Sequence, residues 1–144
     1  MNLVDLVIQQ SEPDTKETVY ERRNLGVRDY GDKTYINGYD FDGVITAGLR
    51  PSEGDVIITG RSYCMAKETF AELKKLGIEC PVYFNPSHRS ECSREDSGAW
   101  KAEMISRLPI KRFYEDDPIQ ASFITNKNPN VEIIYIISKV FPKK

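Results

Sequence analysis

Asp40 and Asp42 stand two residues apart in the stretch YDFDGVIT. A second acidic run, Glu115-Asp116-Asp117, follows the apolar residues Phe113 and Tyr114. Between the two, VIITGRS ends an apolar run with the hydroxyl of Thr59 and continues with Gly60 and Arg61. Carboxylates gathered in one place repel one another and resist burial. A bound divalent cation relieves both problems, and a ligand set made only of oxygen suits Mg2+. A carboxylate is also a nucleophile at neutral pH with no proton to lose first. A second acid beside it can donate and accept the protons of the reaction.

These residues are distant in sequence, so their chemistry depends on the elements that gather them. TYINGYDF is rich in aromatic and β-branched residues and predicts a strand. GDVIITG is a short apolar run framed by glycines, the pattern of a strand buried on both faces. Met65, Phe70, Leu73 and Leu76 then recur near helical spacing, and Gly77 stands where a helix ends. IECPVYF predicts another strand, with Pro81 placing it at a sheet edge or making Val82 its first residue. Residues 85–97 are polar and read as a long loop containing His88, Arg89 and Arg94, the kind of segment that serves as a lid. A helix is expected over 98–108, with Trp100, Met104, Ile105 and Leu108 on one side and Pro109 ending it. KRFYEDD predicts a strand, residues 118–125 a helix opened by proline, and NPNVEIIYIIS a last strand. This alternation argues for an α/β fold with a mostly parallel sheet and helices on both faces. Ligands of such sheets bind beyond the carboxyl ends of the strands, where Asp40, Asp42, Thr59, Asp116 and Asp117 all fall. Trp100, Met65 and Phe70 read as core.

Composition sets the outer bounds. The 144 residues suit one domain, expected over residues 34–144. Residues 1–33 are read as an N-terminal extension: an edge strand, a short helix or an arm, including the basic pair Arg22-Arg23. Lys and Arg total 20 against 22 Asp and Glu, so a cationic coat for nucleic acid is excluded. The longest apolar run is five residues, from Ile133 to Ile137, far below the roughly 20 that span a bilayer. The first residues carry acids and no basic cluster, unlike a signal peptide, so a cytoplasmic protein with no membrane partner is expected. The three cysteines, Cys64, Cys80 and Cys92, are odd in number and expected to be reduced. Cys80, His88 and Cys92 lack the spacing of a zinc site.

The motifs, taken together, resemble those of the haloacid dehalogenase-like phosphatase superfamily. YDFDGVIT resembles its first motif and VIITGRS its second. Lys101 suits the third, and RFYEDDP resembles the fourth. Order and spacing match over about 100 of the 144 residues. The resemblance implies a three-layer α/β/α Rossmann-like core and a Mg2+-dependent phosphomonoester hydrolase working through an aspartyl-phosphate. It implies Asp40 as nucleophile and metal ligand. Asp42 becomes the general acid/base and, through its backbone carbonyl, a further ligand. Thr59 and the Gly60 amide would bind phosphoryl oxygens, Gly43 would permit the turn, and Arg61 would touch substrate. Lys101 would hold Asp40 and neutralise charge, with Lys111 as a nearby competitor. Asp116 would ligate the metal, helped by Asp117 or Glu115, the register being ambiguous by one residue.

Only 16 residues separate Asp42 from Thr59, too few for a folded cap, and the span from Thr59 to Lys101 is ordinary core plus a loop. A cap-less member with an open site is therefore expected. Such a site suits nucleotides, polynucleotide ends, phosphoproteins, or small molecules covered by a neighbouring subunit of a homo-oligomer. The acids followed by Gln120, together with TGR, resemble phosphatase domains that accompany nucleic-acid repair enzymes, which ranks a nucleotide or nucleic-acid end phosphate first. An isoelectric point near 5.5 argues against tight polynucleotide binding. The competing readings are a regulatory protein that keeps the fold without turnover, a sugar-phosphate phosphatase in an oligomer, and a phospho-receiver domain. The last needs its accepting Asp after an early acidic pair, whereas Asp40 is followed by DGV.

Overall fold

The computed structural model describes residues 35–137. The N-terminal extension, Arg22 and Arg23, and residues 138–144 lie outside the described residues. Five strands alternate with helices: β1 (Ile36–Tyr39), β2 (Val56–Ser62), α1 (Ala66–Leu76), β3 (Val82–Asn85), α2 (Arg94–Ile105), β4 (Ile110–Glu115), α3 (Pro118–Lys127) and β5 (Glu132–Tyr135). A single helical turn, Phe41–Ile45, follows β1, and short 3-10 turns cover Tyr63–Met65 and Arg89–Glu91. The strands form one sheet in the order β3-β2-β1-β4-β5, every pair parallel. The expected α/β class is what the chain adopts.

Two cores follow from the period of two along β2. Val56 and Ile58 face one side and pack with Trp100, Met104, Ile105, Phe113 and Ile124. Ile57, between them, faces the other side with Val44, Phe70, Leu73 and Phe84. Helix α1 thus covers one face of the sheet, and α2 and α3 cover the other. All three residues are fully buried, which explains why this strand reads as an unbroken apolar run. Pro81 precedes β3, which starts at Val82 on the sheet edge, where a missing N–H costs least. No described helix is long and apolar enough to cross a membrane.

The largest departure from the sequence pattern is the start of α2. The polar stretch expected to be loop as far as residue 97 is helical from Arg94. Its polarity is that of a helix N-terminus. The Ser93 hydroxyl accepts from the Asp96 amide at 3.0 Å, and Glu95 and Asp96 sit in the first turn, where acids complement the helix dipole. Lys101 consequently lies in the middle of a twelve-residue helix rather than near its beginning.

Gly98 lies where α2 crosses α3. A β-carbon there would stand 2.9 Å from Phe123 Cδ2 and 3.1 Å from the backbone Cα of Gln120. The second neighbour is main chain and has no rotamer to escape into. Gly98→Ala is therefore expected to destabilise the fold by about 1–2 kcal/mol, overpacking outweighing the gain in helix propensity. Thermal unfolding measures this. An unchanged or raised melting temperature would show that the two helices do not pack this closely.

Candidate active site

In the strand order, β2 and β3 lie to one side of β1, and β4 and β5 to the other. The chain therefore changes winding direction between β1 and β4, and open parallel sheets leave a crevice at such a point. Asp40 follows β1 directly, Glu115 ends β4, and Asp116 follows it. The Asp40 amide still donates to Tyr114 O at 3.0 Å, so the pairing of β1 with β4 runs up to the acid itself. Beyond it the chain turns sharply. Phe41 N donates to Asp40 Oδ1 at 2.8 Å, and Gly43 adopts φ 84°. A β-carbon at Gly43 would be strained at that angle and would overlap the Asp116 carboxylate.

Lys101 reaches this crevice from α2. Its ammonium is 2.9 Å from Asp40 Oδ1, 2.7 Å from Glu115 Oε1 and 2.6 Å from Gln120 Oε1. The side chain of Lys101 is 1% exposed, and Asp40 is 6% exposed. Two buried carboxylates thus share one cation. Burial pushes the Asp40 carboxyl up; Lys101 pulls it back and Glu115 raises it again, leaving it at about 7. Burial also works against the Lys101 charge, but Asp40 and Glu115 outweigh it and hold the ammonium above its ordinary value. The other oxygen of Glu115 accepts from the Asp116 and Asp117 amides, which fixes the turn after β4.

Arg61, beyond Thr59 and Gly60 on β2, grips Asp42 with a two-pronged bond, Nε to Oδ2 and Nη2 to Oδ1, both 2.9 Å. Its Nη1 binds Thr69 and Glu72, and the guanidinium lies 4.5 Å over the Phe41 ring. Burial acts to lower Arg61, but Asp42 and Glu72 hold it above its ordinary value. The Asp42 side chain is 60% exposed, so this pair belongs to the rim. Thr59 lies beneath. It is buried, its hydroxyl accepts from the Arg61 amide at 3.0 Å, and its carbonyl accepts from Trp100 Nε1 at 3.0 Å.

A cleft of about 520 Å³ opens above these groups. Asp40, Asp42, Gly43, Gly60, Arg61, Lys101, Asp116 and Asp117 all line it. Thr59 is not among the lining residues. Lys111, the competitor of Lys101, is exposed and lies 5.9 Å from the Tyr35 ring. His88 is exposed and caps its own short turn, accepting from the Ser90 amide, while Cys80 sits in the core. Cys80, His88 and Cys92 are not gathered into a metal-binding group.

The structure separates the two acids that the sequence left as alternatives beside Asp116. Asp40, Glu115 and Asp116 each offer an oxygen, all within 4.8 Å of one another. Asp117 is taken up elsewhere. Arg94 binds both its oxygens, Nε to Oδ2 at 2.9 Å and Nη2 to Oδ1 at 2.8 Å, and Asp117 caps α3 by accepting from the Ile119 amide at 2.9 Å. Arg94 and these amides hold the Asp117 carboxyl down at about 2. The third member of the cluster is therefore Glu115, with Asp117 outside it. The donors are all oxygens, and three acids lie together where one ammonium pairs with two of them, a set that could hold a divalent cation. Sequence reasoning passed over Ser97, and it noted Gln120 after the acids without giving it a place in the site. The signal for Gln120 was its place three residues after the helix-capping Asp117.

No protein-family model, curated protein or solved structure matches this chain. The site is thus read from its own geometry.

Asp40 gives a stability test. In the folded protein its carboxyl keeps its proton up to about pH 7, whereas the unfolded chain releases it near 3.8. Without divalent cations, its contribution is therefore most favourable at low pH and is lost as pH rises from about 4 to about 7. Asp40→Asn removes that loss. Its melting temperature, relative to wild type in EDTA, should rise across this window, and added Mg2+ should narrow the gap by stabilising wild type. A difference that does not change with pH would mean that Asp40 titrates alike in both states.

Proposed function

We propose that this chain is a Mg2+-dependent phosphomonoester hydrolase that works through an aspartyl-phosphate. The carrying observation is the placement of Asp40: at the end of the central strand, its Oδ1 fixed by the Phe41 amide and the Lys101 ammonium, facing Asp116 across the crevice. A carboxylate fixed in orientation has already lost the freedom that a reaction would otherwise have to remove. The resemblance to haloacid dehalogenase-like phosphatases includes the same residues, and the reading of a cap-less core rests on the short spans from Asp42 to Thr59 and from Thr59 to Lys101.

In this reading a carboxylate oxygen of Asp40 attacks phosphorus, and the bond from phosphorus to the leaving oxygen breaks. Asp42 gives that oxygen a proton. Asp42 then takes a proton from water, which attacks the phosphorus of the aspartyl-phosphate and restores Asp40. Asp40, Glu115 and Asp116, with the Asp42 carbonyl, would hold the cation, which when bound offsets the repulsion between carboxylates and the anionic substrate. Lys101 neutralises charge on the transferring group. Arg61 and the Gly60 amide meet phosphoryl oxygens. An arriving phosphoryl group competes for the Arg61 fork and frees Asp42 for proton transfer. Thr59 serves by holding the Arg61 amide rather than by touching substrate.

The open cleft, with Arg61, Arg89 and Arg94 along it, favours a substrate that extends out of the site. A nucleotide or nucleic-acid end phosphate heads that class.

Hydrolysis of p-nitrophenyl phosphate should require Mg2+ and stop with EDTA. Asp40→Asn should abolish it, and Asp42→Asn should lower kcat by about 10²- to 10⁴-fold, the usual contribution of a general acid/base. A panel of nucleotides, 3′-phosphorylated oligonucleotides and sugar phosphates then ranks substrates. Absence of any Mg2+-dependent rate, or full activity in Asp40→Asn, would sink the enzyme reading and favour a binding role. Turnover confined to small sugars would overturn the substrate ranking.

A further inference from the structure

An ammonium group has three protons, and Lys101 has three close partners, an ion pair with Asp40 and hydrogen bonds to Glu115 and Gln120. Two are the carboxylates of Asp40 and Glu115. The third and shortest bond, 2.6 Å, goes to the side-chain oxygen of Gln120. We propose that Gln120 is a positioning residue that fixes the Lys101 ammonium against Asp40 and acts on catalysis only through it. The proposal rests on the phosphatase reading above.

Four features support this. First, the orientation of the amide is forced. The ammonium only donates, so the atom facing it must be Oε1, which points Nε2 to the other side. There Nε2 donates to Asp117 Oδ2 at 3.1 Å. Second, Asp117 is itself immobilised, by the two-pronged bond from Arg94 and by capping α3. A rigid series therefore runs from the cleft rim inward: Arg94, Asp117, Gln120, Lys101. Third, the backbone of Gln120 is pressed against Gly98, one turn before Lys101 on the same face of α2. The reach from Gln120 to the ammonium is thus set by main-chain packing. Fourth, a neutral acceptor is what the charge balance requires. Two acids already share the single cation, and a third buried carboxylate would add to the repulsion.

Without this acceptor, Lys101 keeps only two partners and the ammonium can swing between them. Asp40 then loses the fixed neighbour that orients it. Gln120 touches no reacting atom in the mechanism above, so the effect should fall on kcat.

The variant is Gln120→Met, which keeps volume and removes both bonds. Its melting temperature checks that it folds. It is expected to lower kcat towards p-nitrophenyl phosphate by about ten- to a hundredfold, the scale of one hydrogen bond to a charged group. KM should stay within about twofold. In a Lys101→Met background the same change should alter kcat by less than about twofold, because its partner is gone. A raised KM at unchanged kcat would instead make Gln120 a substrate contact. An equal loss in both backgrounds would make it independent of Lys101. Either result overturns the proposal.

A second readout needs no activity. In 15N-labelled protein without substrate, the Lys101 ammonium should give a resolved resonance with slow proton exchange, and Gln120→Met should broaden it. An unchanged resonance overturns the proposal. If wild type hydrolyses no phosphomonoester, the functional reading falls, and the resonance alone decides whether Gln120 fixes Lys101.

Discussion

One ammonium group held between two buried carboxylates is the constraint on which the rest of this structure depends. Removing any of these charges from water is expensive, and their mutual attraction offsets the cost only when geometry is close and every proton has an acceptor. Distances of 2.6–2.9 Å around Lys101 meet that condition. They also dictate where α2 must lie. The Trp100 indole anchors the helix to β2 through the Thr59 carbonyl, and Gly98 lets α3 approach until Gln120 reaches the ammonium. Asn128, just past α3, donates to the Ala102 carbonyl at 3.0 Å and ties the far ends of the two helices together. The small residue, the indole and the amide serve one end: to bring a long cationic side chain to the carboxyl ends of β1 and β4.

Charge is organised differently at the floor and at the rim. On the floor, Asp40, Glu115 and Lys101 are buried, and their partners are fixed. At the rim, Arg61 holds Asp42 and Arg94 holds Asp117, each by two parallel bonds. These cations are oriented by acids that water still reaches, so an incoming anion can compete for them at modest cost. Arg94 is 57% exposed, whereas Arg61 is packed over Phe41, so the two guanidinium groups differ in burial despite their similar bonding.

Much of this was legible in the sequence, for reasons that can be named. The strands were readable because Val56, Ile57 and Ile58 are apolar on both faces, which only a sheet covered on both sides requires. Asp40 was readable from its place at the carboxyl end of a strand, and Gly43 through the resemblance of YDFDGVIT to a known motif. The beginning of α2 was not, because Ser93, Arg94, Glu95 and Asp96 are as polar as a loop, and the difference lies in a side-chain bond to a backbone amide. The choice between Asp117 and Glu115 was beyond reach for a similar reason. Three consecutive acids are equivalent until the chain turns, and the turn is set by Glu115 accepting two amides and Asp117 capping α3. Lys101 and Lys111 are likewise alike in sequence. Only the packing of α2 separates a buried cation from a solvated one.

Burial of an acid does not by itself mark a site, and this molecule contains its own control. Asp55, just before β2, is 5% exposed, as deeply buried as Asp40 on the neighbouring strand. Asp55 accepts from the Asn37 amide at 3.0 Å, the Ser52 amide at 2.9 Å and the Tyr39 hydroxyl at 3.4 Å. Its donors are neutral, belong to the fold, and leave no second acid to be balanced. It lies at the amino end of its strand, the end that parallel sheets do not use for ligands. Asp40 lies at the carboxyl end, shares the Lys101 cation with Glu115, and faces Asp116 across an open cleft. Asp55 closes a network of neutral donors at the amino end of the sheet, whereas Asp40 belongs to a charged network at the carboxyl end that borders the cleft. That charged company and that position, rather than burial, set Asp40 apart from an acid that only holds the chain in place.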